Sequence, residues 1–150
     1  KVRRFSRRGG WSKHINRGYR SGLEDNVALQ LQDAKIKVEY EKYTIDYSIP
    51  EQVHHYTPDF VLPNGVIVET KGIFDVEDRK KHILIKQQHP NLDIRFVFSS
   101  AGTKIYKGSP TSYADWCKKH GFKYATKWIP EEWWKEDKKD TGGLIMKNKK

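Results

Sequence analysis

A chain of 150 residues with a formal net charge of +10 suits one domain with a real core rather than several domains. Its single cysteine, Cys117, excludes an internal disulfide framework and points to a reducing compartment. No stretch approaches the length of a membrane span and the N-terminus has no signal-peptide core, so a cytoplasmic protein without a membrane partner is expected.

The charge is unevenly placed. Residues 1–20 carry eight basic side chains and no acid, residues 135–150 carry six basic and three acidic, and the body between them is close to neutral. Residues 1–20 lack apolar periodicity and contain Gly9, Gly10 and Gly18, so they read as a disordered basic arm. Such arms either aid solubility or engage a polyanion. The interleaving of Arg3, Arg4, Arg7, Arg8, Arg17 and Arg20 with Phe5, Trp11 and Tyr19 favours nucleic acid, because guanidinium forks grip phosphates and aromatic rings stack on bases.

Ser21-Gly22-Leu23-Glu24 has the form of a capping box opening a helix whose Leu23, Val27, Leu31 and Ala34 make an apolar stripe. Glu24 thus has an ordinary structural explanation. From Ile36 to Ile49 apolar residues alternate with polar ones, but Ile36, Val38 and Tyr40 share one parity while Tyr43, Ile45, Tyr47 and Ile49 share the other. A phase slip of this kind is either a bulge or two strands meeting different surroundings. Pro50 ends the second half, and residues 50–55 form an extended run of a kind that can leave its own globule and pair with another subunit.

Two apolar runs then flank Pro63-Asn64-Gly65, a three-residue hairpin loop in which Pro63 and Asn64 make a type I turn and Gly65 is left-handed. That register pairs 62 with 66, 61 with 67, 60 with 68 and 59 with 69. It sets Asp59 across from Glu69, with Cβ atoms roughly 5 Å apart, and puts Lys71 on the same face. Two carboxylates this close repel unless a cation lies between them, and a divalent ion beside an ammonium would serve. The alternative is a solvated face with a salt-bridged lysine.

Beyond Gly72, Asp75 caps a helix to about His89, with Val76, Ile83 and Leu84 inward and Arg79, Lys80, Lys81 and Lys86 outward. The strand Ile94–Phe98 follows, and this strand-helix-strand order implies a parallel crossover. A third helix begins at Thr111 or Ser112 and ends at Gly121, Trp128–Trp134 is a short helix covering a core edge, and residues 135–150 are a flexible charged tail. His54 and His55 point to opposite faces of a strand and cannot share an ion, and Cys117-x-x-His120 lacks the second pair a zinc site needs. No phosphate-cradling glycine loop or nucleophile elbow is present, which removes ATPase and serine hydrolase readings. The loop holding Lys104 and Lys107 either touches phosphates or is simply solvated.

Pro58-Asp59 and Glu69-Thr70-Lys71 match the Pro-Asp…(Asp/Glu)-x-Lys signature of restriction-endonuclease-like nucleases. Tyr56-Thr57-Pro58-Asp59-Phe60, Val68-Glu69-Thr70-Lys71-Gly72, Asp78-Arg79-Lys80-Lys81-His82 and Tyr106–Tyr113 narrow the likeness. From about Ser21 to Trp133 the chain resembles the bacteriophage endonuclease I family of Holliday junction resolvases. The resemblance implies an α/β fold, a mixed β-sheet flanked by helices, in an intertwined, domain-swapped homodimer. The arm 1–20 would precede a nuclease domain over 21–134, with its bridge near 49–53, and the tail 135–150 would follow. Glu24, Asp59, Glu69 and Lys71 match the family's active-site positions, with Glu24 supplied by one chain and the other three by its partner. Asp59, Glu69 and the Thr70 carbonyl would hold one Mg²⁺ or Mn²⁺, and Asp59 with Glu24 a second. The implied substrate is branched DNA, cut to leave 5′-phosphate and 3′-hydroxyl ends, with the arm arginines, Arg79, Lys80, Lys104 and Lys107 as candidate DNA contacts. A phage protein of this kind would act in the host cytoplasm. Two rival readings stay open, a sequence-specific restriction-type enzyme and a junction-binding protein without catalysis.

Overall fold

A computed structural model describes residues 22–49 and 52–147. In chain order the elements are α1 (Gly22–Asp33), β1 (Glu39–Tyr40), β2 (Tyr43–Ile49), β3 (Gln52–Tyr56), β4 (Phe60–Val61), β5 (Ile67–Lys71), α2 (Val76–Gln88), β6 (Ile94–Phe98), α3 (Tyr113–His120), β7 (Lys123–Thr126), α4 (Glu132–Lys135) and β8 (Leu144–Met146). A five-stranded mixed sheet runs β1-β4-β5-β6-β7, and a three-stranded sheet runs β3-β2-β8. The fold is therefore mixed α/β with helices on a mixed sheet, as the sequence led us to expect.

Alternation along the central strands sends side chains to two cores. Ile67, Ile94, Phe96 and Phe98 join Phe74, Ile85, Tyr113 and Trp116 on the side of α2 and α3. Val68 and Val97 join Val27, Leu31, Phe60, Ile129 and Trp133 on the side of α1. The first core includes His82, which is fully buried with neither ring nitrogen bonded. Its ring meets Tyr56 and Phe96 edge-on, 4.8 Å from each, and burial keeps it neutral by holding its pKa well below the usual imidazole range.

The turn chemistry behaves as the Pro-Asn-Gly sequence requires. Rungs form at 60–68 and 61–67, the Leu62 amide donates to the Val66 carbonyl at 2.8 Å, and Gly65 has φ +95°. The ladder ends at Phe60: instead of a 59–69 rung, the Asp59 amide donates to the Glu69 carboxylate at 3.3 Å. The phase slip is a change of sheet. Val38 and Tyr40 pack on the second core and Tyr43, Ile45 and Tyr47 on the first, with Glu41 between them at φ 46°.

Strand β3 pairs antiparallel with β2, with rungs from Ile49–Gln52 to Ile45–Tyr56. Several expectations are corrected. On α2, Val76 is exposed and Arg79 buried, since the Arg79 guanidinium donates to the Phe74 and Ile105 carbonyls at 2.7 and 3.3 Å. Strand β7, parallel to β6, went unforeseen. In the tryptophan segment the helix covers only Glu132–Lys135, and Trp133 alone among its tryptophans is buried.

Residues 135–147 of the tail make contacts with the body. Arg95 is fully buried, forked between Asp93 at 2.7 Å and Glu136 at 2.8 Å, with its guanidinium 5.2 Å from the Trp133 ring centroid. An unpaired buried guanidinium would be very costly, so these acids are its complement. They draw residue 136 onto the sheet, after which the Lys139 amide donates to the Asn64 carbonyl at 2.7 Å and β8 pairs with β2. Helix α3 is closed at both ends as expected, by the Ser112–Asp115 capping box and by Gly121 at φ 80°.

Hydrogen bonds from Arg95 and Lys139 hold the Glu136 carboxyl down to about 2. A depressed carboxylate contributes stability above its ordinary pKa and loses it as pH falls toward the folded value. Glu136→Gln should therefore lower stability by about 1–3 kcal/mol near neutral pH. Its deficit against wild type should shrink as denaturation is repeated from about pH 5 down to about pH 2. A deficit independent of pH would contradict the ion-pair role.

Candidate active site

The site forms where β4 begins and β5 ends, because alternation interrupts two buried strands with polar groups at one end of the sheet. Asp59, Glu69 and Thr70 are all buried there. An open cleft of about 360 Å³ is lined by Glu24, Tyr56, Asp59, Glu69, Thr70, Lys71 and Lys81, among others. The structure thus brings together every active-site position expected from sequence. In the single chain Glu24 and Asp59 line the same cleft.

Each carboxylate is oriented by a specific donor. Asp59 Oδ2 accepts from the Thr70 amide at 2.9 Å and the Thr70 hydroxyl at 2.8 Å. Glu69 Oε1 accepts from the Tyr56 hydroxyl at 2.8 Å, and Glu69 Oε2 lies 3.6 Å from Lys71 Nζ. Glu24 Oε2 accepts from the Tyr40 hydroxyl at 2.6 Å. Both tyrosines stay protonated donors, because burial and the neighbouring carboxylates raise their pKa.

Burial and mutual repulsion act on these carboxylates. Burial, then Glu69 and Glu24, push the Asp59 carboxyl well above the usual carboxylate range against the pull of the Thr70 hydrogen bonds. Burial also raises Glu69, with Lys71 opposing it. For Lys71, burial favours the neutral amine, but Glu69 and Asp78 outweigh it and keep the ammonium charged. Its Nζ is 3.2 Å from Asp78 Oδ1, so its charge is shared with a further acid.

One carboxylate was missed in the sequence. An oxygen each from Glu24, Glu41 and Asp59 lie within 4.8 Å of one another, an arrangement able to hold a metal ion. Glu69 is not part of this trio, its Oε1 being turned to Tyr56 and the Asp59 amide. Hard carboxylate oxygens crowded this closely suit a divalent ion such as Mg²⁺ or Mn²⁺. The available signal for Glu41 was the phase slip itself, since a residue at the break between two strands need not follow either strand's facing. Tyr40 and Tyr56 read only as apolar strand residues.

The remaining candidates divide. Arg3, Arg4, Arg7, Arg8, Arg17 and Arg20 lie outside the described residues. Lys80, Lys104 and Lys107 are exposed. Arg79 is turned inward with its guanidinium on backbone carbonyls. The histidine and cysteine sets discounted above stay apart: His55 pairs with Asp46 at 2.6 Å, while Cys117 is buried and its thiol is pushed up to about 12 by burial. No helix among the described residues is long and apolar enough to cross a membrane.

Comparison with known proteins gives the family. The chain is 62% identical over 131 residues to "Endonuclease I" of Escherichia phage T7, covering 87% of this chain and 88% of that protein. It is 58% identical over 134 residues to "Endodeoxyribonuclease 1" of Enterobacteria phage T3, covering 89% and 88% respectively. The family profile described as Phage endonuclease I matches residues 7–150. With that match spanning nearly the whole chain and the signature carboxylates and lysine gathered in one cleft, this chain belongs to the phage endonuclease I family.

Proposed function

We propose that the chain is a structure-selective endodeoxyribonuclease that resolves four-way junctions and other branched DNA by metal-dependent hydrolysis. The observation that carries this reading is the convergence of Glu24, Asp59, Glu69 and Lys71 on one cleft. The names of the phage relatives support nuclease action on DNA. When bound, a pair of Mg²⁺ or Mn²⁺ ions supplies positive charge opposite the attacking and leaving oxygens of the phosphodiester.

The chain's own groups have distinct tasks in this mechanism. Asp59 would serve both ions, with Glu69 and the Thr70 carbonyl completing one set of donors and Glu24, joined by Glu41, the other. The Thr70 amide and hydroxyl fix the Asp59 carboxylate, and the Tyr56 and Tyr40 hydroxyls fix Glu69 and Glu24. Lys71, held charged by Glu69 and Asp78, orients the attacking water and offsets charge on the phosphoryl oxygens rather than removing a proton. Attack by water on phosphorus with departure of the 3′ oxygen leaves 5′-phosphate and 3′-hydroxyl ends. Exposed Lys80, Lys104 and Lys107 and the arginines of residues 1–20 are suited to phosphate contacts.

Two cuts on one junction call for two sites, and we infer an intertwined homodimer. Exchange of α1, β1 and β2 across the link at 49–53 would put Glu24 of one chain beside the partner's Asp59. The link carries Pro50, which favours an extended residue before it. Ile49 and Val53 on either side are 42% and 63% exposed, apolar surface that a second chain would cover.

Glu69→Gln and Lys71→Ala should each abolish cleavage of a synthetic four-way junction in Mg²⁺ while gel-shift binding without the ion persists. Near wild-type cutting by either would remove the site assignment, and equal cutting of linear duplex of the same sequence would favour the restriction-type reading. Mixed dimers of Glu24→Gln and Asp59→Asn chains decide the exchange. In the swapped arrangement one of the two sites regains both native carboxylates, so mixing two inactive proteins restores nicking. In an unswapped pair both sites stay defective.

A further inference from the structure

Two of the most exposed large apolar side chains sit in the loops that follow the parallel neighbours β5 and β6, at the end of the sheet where the cleft opens. Ile73 is 76% exposed and Tyr106 62% exposed, and such surface is costly to leave in water without a use. Ile73 stands two residues beyond Lys71, where β5 ends. Tyr106 belongs to the excursion between β6 and α3. Buried Arg79 ties these two loops together, because one guanidinium nitrogen donates to the carbonyls of both Phe74 and Ile105.

The excursion is braced rather than loose. The Ile105 amide donates to the Thr111 carbonyl at 2.9 Å, the Tyr113 amide to the Thr103 carbonyl at 2.8 Å, and the Ser109 amide to the Tyr106 carbonyl at 3.0 Å. Tyr106 is therefore held out in advance, and a partner that meets it has little ordering left to impose. Lys104 and Lys107 flank it and are exposed, which suits a polyanionic partner with flat apolar faces. DNA has both features, but an unbroken duplex hides its base faces between neighbouring pairs. A branch point leaves a base pair without a continuous neighbour, and an aromatic ring can stack there.

We propose that Tyr106 and Ile73 form an apolar step that stacks against the base face bared at a DNA branch point, and that this contact favours branched over linear DNA at the adjacent site. The proposal rests on the nuclease reading above and gives its substrate preference a physical origin. Arg79 is a positioning residue that sets one half of the step against the other.

The test uses the full chain bound, without divalent ions, to four-way junctions carrying 2-aminopurine either at the branch point or in the middle of an arm. Wild type and Tyr106→Phe should change the emission of the branch-point base alone, and Tyr106→Ala and Ile73→Ser should remove that change. In Mg²⁺ the ratio of kcat/KM for junction over linear duplex should fall about tenfold for Tyr106→Ala and recover in Tyr106→Phe. Unaltered branch-point emission together with an unaltered ratio in Tyr106→Ala would overturn the proposal. A wild-type enzyme with no preference for the junction would overturn the functional reading, while the emission of the branch-point base would still decide whether Tyr106 stacks.

Discussion

The crowding of carboxylates at one end of the central sheet is the constraint on which the site depends. Asp59 and Glu69 are buried, Glu24 and Glu41 approach Asp59, and the ammonium of Lys71 is divided between Glu69 and Asp78. A chain selected only for stability would protonate or replace such acids, since buried like charges oppose folding. Their donors instead hold them in place as acceptors: Tyr40, Tyr56 and Thr70 each commit a hydroxyl to one carboxylate. The arrangement makes chemical sense with divalent cations bound.

A second buried charge does the opposite work. Arg95 is fully enclosed, but its fork is saturated by Asp93 and Glu136 and its face meets Trp133. This pairing brings the C-terminal segment onto the sheet and thereby makes β8 the third strand beside β2. The active-site carboxylates line an open cleft, whereas the Arg95 charge is closed by the protein itself. Geometry alone distinguishes the two: one lines a cleft and the other is sealed.

Local chemistry was legible in the sequence and distant pairing was not. The hairpin register followed from Pro63, Asn64 and Gly65 because the turn needs a left-handed residue that glycine supplies at φ +95°. The change of sheet at Glu41 was legible as a parity break, and α3 as a Ser112 cap with Gly121 closing it. Arg79 misled because a helical arginine ordinarily faces solvent, and only carbonyls from two loops give it a reason to turn inward. The tail misled because its partner, Arg95, is 41 residues away in sequence from Glu136. Strand β7 is short and half-exposed, with the burial of an edge strand and no alternation strong enough to reveal it. In the site, the signature residues read from the sequence line one cleft, while Glu41 required knowledge of where the slip would point its side chain.

The central claim is that the carboxylates of the cleft are a divalent-metal centre. Anomalous diffraction from crystals of the wild-type protein soaked in Mn²⁺ measures this most directly. The account predicts ordered manganese within coordination distance of Asp59, with Glu69 or the Glu24–Glu41 pair completing the sphere, and loss of that signal in Asp59→Asn. Manganese absent from the cleft of a protein that cuts DNA in the same ion, or unchanged by Asp59→Asn, would contradict it.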